Sequence, residues 1–122
     1  MTSKTILYVE DHPPARLLMS AIISDLTAHT MVSAGTGAEA CEIAARIKPD
    51  LYMLDLDLLD GDGRAVAESL LKLHPAPLIF VSAYAEAIRT GDLSQFASVS
   101  HTYLAKPLDP ENVVQVIERT LA

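Results

Sequence analysis

The chain has 122 residues, half of them hydrophobic and a fifth charged, and its formal net charge is −7. This composition predicts one globular domain, residues 1–122, that buries a core without disulfides or structural metals. Only nine Lys and Arg stand against sixteen Asp and Glu, which argues against nucleic acid as a direct ligand.

Two further features bear on the compartment and on membranes. Cys41 is the only cysteine, so an intrachain disulfide is excluded, and we expect this side chain in the core. The apolar runs are too short for a signal peptide or a membrane span. We therefore expect a cytoplasmic protein with no membrane partner.

Five short segments with strand character alternate with helical segments. The first, third and fourth are almost continuously apolar, as expected where helices cover both faces of a parallel sheet. The alternation predicts a doubly wound α/β fold. The predicted strands are residues 5–9, 30–34, 51–56, 78–83 and 102–105.

The first two helical segments have clear signals. Thr36 and Glu39 form a capping box at the start of the second, and Pro49 ends it, with Ile47 as its last inward residue. The first shows the spacing of one buried helix face. Its inward residues are Ala15, Leu18, Met19, Ile22, Ile23 and Leu26.

The remaining three helical segments differ in strength. The third has its apolar residues at 66–71. The fourth, at 85–96, contains Gly91 and few apolar anchors, so we expect it to be the least stable. The last begins with Asp109 as a cap before Pro110, and its inner face lies at 113–121.

Polar side chains capable of chemistry occur where four of the predicted strands finish. In an open α/β sheet, ligands bind at the carboxyl edge, and in the flavodoxin-like order 2-1-3-4-5 the first and third strands are neighbours. We therefore expect the acids that follow these two strands to meet. The residues at this edge are Glu10, Asp11, Asp55, Ser82 and Lys106.

This set of side chains suggests phosphoryl chemistry. Three carboxylates held close must take up protons or bind a cation, and oxygen ligands suit Mg²⁺. With that charge and Lys106 in place, a phosphoryl group can approach Asp55, which becomes a usable nucleophile. Ser82 and Lys106 offer donors for phosphoryl oxygens. Each residue alone also has an ordinary structural explanation, so the hypothesis depends on the joint arrangement.

Four stretches carry motifs in a fixed order: YVEDHP, PDLYMLDLDLLDGDG, IFVSAY and YLAKPLD. Together they resemble the receiver domains of two-component response regulators over nearly the whole chain. The resemblance implies that Asp55 accepts the phosphoryl group. It also implies that Glu10, Asp11 and Asp55 bind Mg²⁺, with the backbone carbonyl of Asp57 as a further ligand.

The same resemblance assigns roles around the phosphoryl group. It implies that the Ser82 hydroxyl moves toward that group, that Lys106 contacts it, and that Tyr103 is the aromatic switch that rotates inward. It also implies a cis bond between Lys106 and Pro107, and it matches Gly63 to the glycine expected eight residues after the phosphoacceptor.

The resemblance further implies how the protein acts. A histidine kinase or histidine phosphotransfer protein would donate the phosphoryl group, and a downstream protein or a linked output domain would respond. The responding surface would lie at 85–122, in the fourth helical segment, fifth strand and last helix. The protein would catalyse only its own phosphorylation and dephosphorylation and would not be an enzyme with an external substrate. Homodimer formation stays open.

Three departures from the family pattern affect loops. Leu59 stands where a proline is common, and the approach to the last strand lacks a Gly-Ala pair. Tyr84, two residues after Ser82, is bulky, and we expect it to shield the acyl phosphate and slow its hydrolysis.

Two other classes of protein share part of this pattern. Asp55 and Asp57 form a D-x-D pair of the kind found in haloacid-dehalogenase-type phosphatases, but that motif is expected on the first strand of a longer chain. A pseudo-receiver that only binds partners typically lacks the phosphoacceptor, an acid or the lysine, and all are present here. The pseudo-receiver is the alternative to a phosphoacceptor.

Overall fold

The computed structural model describes residues 3–58, 62–83, 96 and 98–122. Its strands are β1 (Thr5–Val9), β2 (Thr30–Ala34), β3 (Leu51–Asp55), β4 (Leu78–Ser82) and β5 (His101–Ala105). Its described helices are α1 (Pro13–Leu26), α2 (Gly37–Ile47), α3 (Gly63–Leu73) and a C-terminal helix (Pro110–Leu121). The strands form one parallel sheet of order β2-β1-β3-β4-β5. This confirms the predicted flavodoxin-like α/β fold.

The strand register brings the carboxyl ends of the strands to one edge of the sheet. Val9, the last residue of β1, pairs with Ala34 on one side and Leu54 on the other. Asp55 pairs with Val81 of β4. Side chains just past β1, at the end of β3 and at the end of β4 therefore lie side by side.

The continuously apolar strands are buried on both faces, as the sequence predicts. Every residue of β3 and β4 is buried. One core cluster joins the sheet to α2 and α3, and a second joins it to α1 and the C-terminal helix. None of the described helices has the length and apolar character needed to cross a membrane.

The helix starts agree with the predicted caps in part. At α2, Thr36 Oγ1 accepts a hydrogen bond from the Glu39 amide at 3.1 Å, and Glu39 accepts one from the Gly35 amide at 2.7 Å. Asp109 is the N-cap residue before Pro110, but its side chain makes no capping hydrogen bond. The fixed φ of Pro110 therefore favours this helix start more than a side-chain cap does.

The prediction of buried helix faces was wrong at several positions. Leu18, Leu26 and Ile47 are 49%, 53% and 39% exposed, and Cys41 is half-buried at the edge of the core. The apolar stripe of a helix can be wider than its contact with the sheet, so residues at its margin face solvent. The residues of α1 that are buried are Met19, Ile22 and Ile23.

The strand boundaries differ by one residue from those predicted. The third and fourth strands each end one residue earlier, at Asp55 and Ser82, and the fifth begins one earlier, at His101. Such shifts are ordinary at the ends of elements. Leu59, Tyr84 and the predicted helical segment 85–96, apart from its last residue, lie outside the described residues.

Candidate functional site: a buried acidic pocket at the carboxyl edge of the sheet

The acidic residues are positioned by the ends of β1 and β3. The Glu10 amide donates to the Ala34 carbonyl at 2.9 Å, which extends the strand pairing by one residue. Asp55 is the last residue of β3. One oxygen from each of Glu10, Asp11 and Asp55 lies within 4.8 Å of the others. The structure thus brings together the three acids that the sequence predicted to meet.

Lys106 reaches the same pocket from beyond β5. Its amide donates to the Ser82 carbonyl at 2.9 Å, which fixes the start of the loop. Its Nζ donates to Glu10 Oε1 at 2.6 Å and to Asp55 Oδ2 at 3.0 Å. Glu10 and Asp55 are only 1% and 4% exposed, so this cation lies between two buried carboxylates.

The pocket sets the protonation of its groups. Burial raises the pKa of Glu10 to about 7, and a hydrogen bond with Asp55 adds to the rise. Burial also opposes charge on Asp55, but hydrogen bonds with Glu10, the Asp57 amide and Lys106 outweigh it and lower the pKa of Asp55. Burial opposes charge on Lys106 too, yet hydrogen bonds with the two carboxylates raise its pKa. Glu10 therefore takes up a proton more readily than Asp55 does.

The donor set fits a hard divalent cation. Three carboxylates face one ammonium group, so the pocket carries excess negative charge when all are ionised. Within the described part of the chain, Glu10 Oε2 is the one buried side-chain atom without a hydrogen-bond partner. Such an atom is costly unless a ligand satisfies it. Oxygen ligands from Glu10, Asp11 and Asp55 match the preference of Mg²⁺.

Asp57 contributes its side chain to the pocket, a role that the resemblance did not imply. Its amide donates to Asp55 Oδ1 at 2.8 Å, and its carboxylate accepts a hydrogen bond from the Ser82 hydroxyl at 2.9 Å. Ser82 ends β4 and is fully buried. The resemblance to receiver domains implied a role only for the backbone carbonyl of Asp57, whereas in the structure its carboxylate also binds the Ser82 hydroxyl.

Arg16 and Tyr8 also contact Glu10, and neither role was predicted from the sequence. Arg16 Nη1 donates to the Glu10 backbone carbonyl at 2.7 Å. The buried Tyr8 hydroxyl lies 3.5 Å from Glu10 Oε1. Burial, followed by the charge on Glu10, raises the pKa of Tyr8, so its hydroxyl keeps its proton and faces the carboxylate as a donor. Tyr8 and Glu10 are two residues apart, so their side chains lie on the same face of the strand, and this spacing could have predicted their contact.

Two predicted backbone features are present beside the pocket. The Lys106–Pro107 bond is cis. Gly63, the first residue of α3, lies so close to β3 that a Cβ there would overlap the Asp55 carbonyl oxygen. A glycine at this position therefore lets α3 begin directly against the residue that carries the central carboxylate.

Tyr103 lies on β5 outside the acidic pocket. It is 36% exposed, and its ring lies 6.5 Å from that of Phe80 in a stacked arrangement and 6.0 Å from that of His101. The structure thus places the predicted aromatic switch in an outward position. Its rotation stays a prediction.

The comparisons with known proteins agree with this fold and pocket. The family described as the response regulator receiver domain matches residues 6–118. The chain belongs to this family of receiver domains.

Among curated relatives, the phyllosphere-induced regulator PhyR of Methylorubrum extorquens is 36% identical over 118 residues, covering 95% of this chain and 43% of that protein. The sensory transduction protein LytT of Enterococcus faecalis is 38% identical over 116 residues, covering 93% and 46%. The crystal structure of NtrX from Brucella abortus is 28% identical with a TM-score of 0.85, covering 98% of this chain and 27% of that one. The chain thus spans less than half the length of these proteins.

Proposed function

We propose that this receiver domain accepts a phosphoryl group on Asp55 with the help of Mg²⁺. The proposal is supported mainly by the Asp55 carboxylate, which is buried and yet has its charge stabilised. Lys106 and the Asp57 amide stabilise that charge, and two further acids lie beside it. A buried ionised carboxylate at the ligand-binding edge of a parallel sheet is a ready nucleophile.

The proposed reaction transfers a phosphoryl group from phosphohistidine. A carboxylate oxygen of Asp55 forms a bond to phosphorus as the P–N bond of the donor breaks, and the electron pair of that bond returns to the imidazole ring. The product is an acyl phosphate on Asp55. Catalysis of such a transfer consists mainly of positioning and neutralising charge.

The pocket residues have separate tasks in this reaction. Bound Mg²⁺ would be held by Glu10, Asp11 and Asp55, with the Asp57 carbonyl as a further ligand, and would neutralise negative charge on the entering group. Lys106 already contacts Asp55 Oδ2, so its ammonium is within reach of phosphoryl oxygens. The Ser82 hydroxyl would bind another of these oxygens after phosphorylation, and Tyr103 would then rotate inward.

The signalling context is also proposed. The donor is a histidine kinase or a histidine phosphotransfer protein, and a downstream protein or an attached output domain reads the switched surface. We propose residues 1–122 as a single receiver domain. The curated relatives named above extend well beyond the region that they share with this chain.

The test is phosphorylation by acetyl phosphate, followed by intact mass. The native chain is expected to gain one phosphoryl group only with Mg²⁺, and Asp55→Asn is expected to gain none. Asp25→Asn, an exposed acid on α1, is the matched control and is expected to behave as native. No adduct from acetyl phosphate alone would favour a donor-selective receiver. A folded chain that binds Mg²⁺ but forms no adduct with a phosphohistidine donor either would contradict the proposal and favour the pseudo-receiver alternative.

A further inference from the structure

The side chains of Asp57 and Ser82 are joined by a hydrogen bond. Ser82 Oγ donates to Asp57 Oδ2 at 2.9 Å. Because a carboxylate acceptor carries charge, this hydrogen bond is stronger than one between neutral groups. The bond connects the loop after β3 to the end of β4.

From this geometry we propose that Asp57 is a positioning residue that holds the Ser82 hydroxyl and thereby opposes phosphorylation of Asp55. The inference rests on the proposed function and adds a regulatory role for a side chain at the same site. Asp57 acts through Ser82, so its effect should depend on the Ser82 hydroxyl.

The Ser82 hydroxyl can donate only one hydrogen bond, which supports a positioning role for Asp57. A serine hydroxyl has a single proton to donate. While that proton is directed to Asp57, it is not available for a strong hydrogen bond to a phosphoryl oxygen on Asp55. Phosphorylation must therefore break the Ser82–Asp57 hydrogen bond, and the free energy of that bond favours the unphosphorylated state.

The local backbone places the Asp57 carboxylate and the phosphoryl site on Asp55 close to the same Ser82 hydroxyl. The amide of Asp57 is bound to Asp55 Oδ1, so the carboxylate that holds Ser82 lies two residues from the nucleophile. Asp55 pairs with Val81, the neighbour of Ser82. The hydroxyl therefore lies close to where the phosphoryl group would be, but it is oriented toward a different acceptor.

Asp57 would also repel a phosphoryl group by its charge alone, independently of Ser82. The two effects can be separated because only the hydrogen bond requires the hydroxyl. A double-mutant cycle on Asp57 and Ser82 measures the part that the two side chains share. Asp57→Asn separates the two effects in a second way, because it removes the charge but keeps an oxygen that can accept the hydrogen bond from Ser82.

The experiment measures the affinity for beryllium trifluoride, a phosphoryl mimic, at saturating Mg²⁺. The proteins are the native chain, Asp57→Ala, Asp57→Asn, Ser82→Ala and the double variant. We expect Asp57→Ala to tighten binding about tenfold when Ser82 is present, in line with the loss of one hydrogen bond to a charged group. Combined with Ser82→Ala, Asp57→Ala is expected to tighten binding by a clearly smaller factor, about threefold or less, because only the charge repulsion is then relieved.

Parallel measurements of Mg²⁺ affinity and thermal unfolding show whether any variant has lost the metal site or the fold. If Asp57→Ala tightens binding of the mimic equally with and without the Ser82 hydroxyl, Asp57 acts only through charge repulsion and the proposal is overturned. Weaker binding in Asp57→Ala alone would overturn it as well. If the native chain neither binds the mimic nor forms the phosphoryl adduct, the proposed function fails first and the inference falls with it.

Discussion

Glu10 is an acid of the pocket whose pKa is raised by burial. Its pKa of about 7 lies above the ordinary value of 4.5, because burial and the hydrogen bond with Asp55 oppose its charge. The folded protein therefore retains a proton that the unfolded chain releases. This difference contributes stability that is fully present below about pH 4.5 and is lost as pH rises toward 7.

We predict that the metal-free protein becomes less stable between pH 4.5 and 7, by at most about 1.4 kcal/mol per pH unit from this one proton. Urea unfolding at several pH values without Mg²⁺ measures the slope. Glu10→Gln should flatten it, whereas Glu42→Gln on the exposed side of α2 should not. An unchanged slope in Glu10→Gln would assign the pH dependence to another group.

Arg16 acts on the same residue through the backbone. Its guanidinium donates to the Glu10 carbonyl, so it fixes the turn that carries two of the three acids. We predict that Arg16→Met weakens Mg²⁺ affinity several-fold, since a hydrogen bond from a charged donor is worth about 1.5–3 kcal/mol and only part of that acts on the site. Calorimetric titration measures the change, with Arg46→Met on α2 as the control. Equal affinities in the two variants would contradict a positioning role for Arg16.

At the scale of elements, the start of α3 is coupled to the end of β3. Gly63 leaves no room for a Cβ beside the Asp55 carbonyl, because the obstacle is backbone rather than a movable side chain. We predict that Gly63→Ala destabilises the protein by about 1–3 kcal/mol and slows phosphorylation by displacing Asp55.

The matched substitution is Gly35→Ala, where the added methyl group would meet the guanidinium end of Arg16 at 3.2 Å. The end of a side chain can shift slightly where backbone cannot, so the loss of stability should be smaller than in Gly63→Ala. Chemical denaturation compares the stability of the two variants, and acetyl phosphate kinetics compare Gly63→Ala with the native chain. Equal stability of the two variants would show that α3 can shift away from β3 at little cost.

The elements also show which contacts sequence patterns can predict. Continuous apolar runs predicted the buried strands, because strands covered on both faces require them. The same patterns did not predict that Leu18 and Leu26 are exposed, since helical periodicity gives the direction of a side chain and not the extent of the contact. The role of His29 was also unpredicted: it accepts from the Lys4 amide at 3.0 Å and lies 2.7 Å from Glu118 Oε1, contacts between distant segments.

At the scale of the whole molecule, the parallel sheet explains why the acidic pocket was predictable. The topology places the ends of β1 and β3 side by side, so Glu10 and Asp55 meet whatever the details of the loops. The hydrogen bond between Ser82 and Asp57 depends instead on side-chain rotamers within a short loop. Neither composition nor spacing specifies those rotamers, so this hydrogen bond could not be predicted from the sequence and is seen only in the structure.

In the proposed function, Asp55 carries the phosphoryl group. The most direct measurement is borohydride reduction of the chain after treatment with acetyl phosphate and Mg²⁺, followed by peptide mapping, because borohydride converts an acyl phosphate on aspartate to homoserine. We predict homoserine at position 55 alone, and none when Mg²⁺ is omitted. Homoserine at another acid, or an unreduced Asp55 in a chain that carries the adduct, would contradict the account.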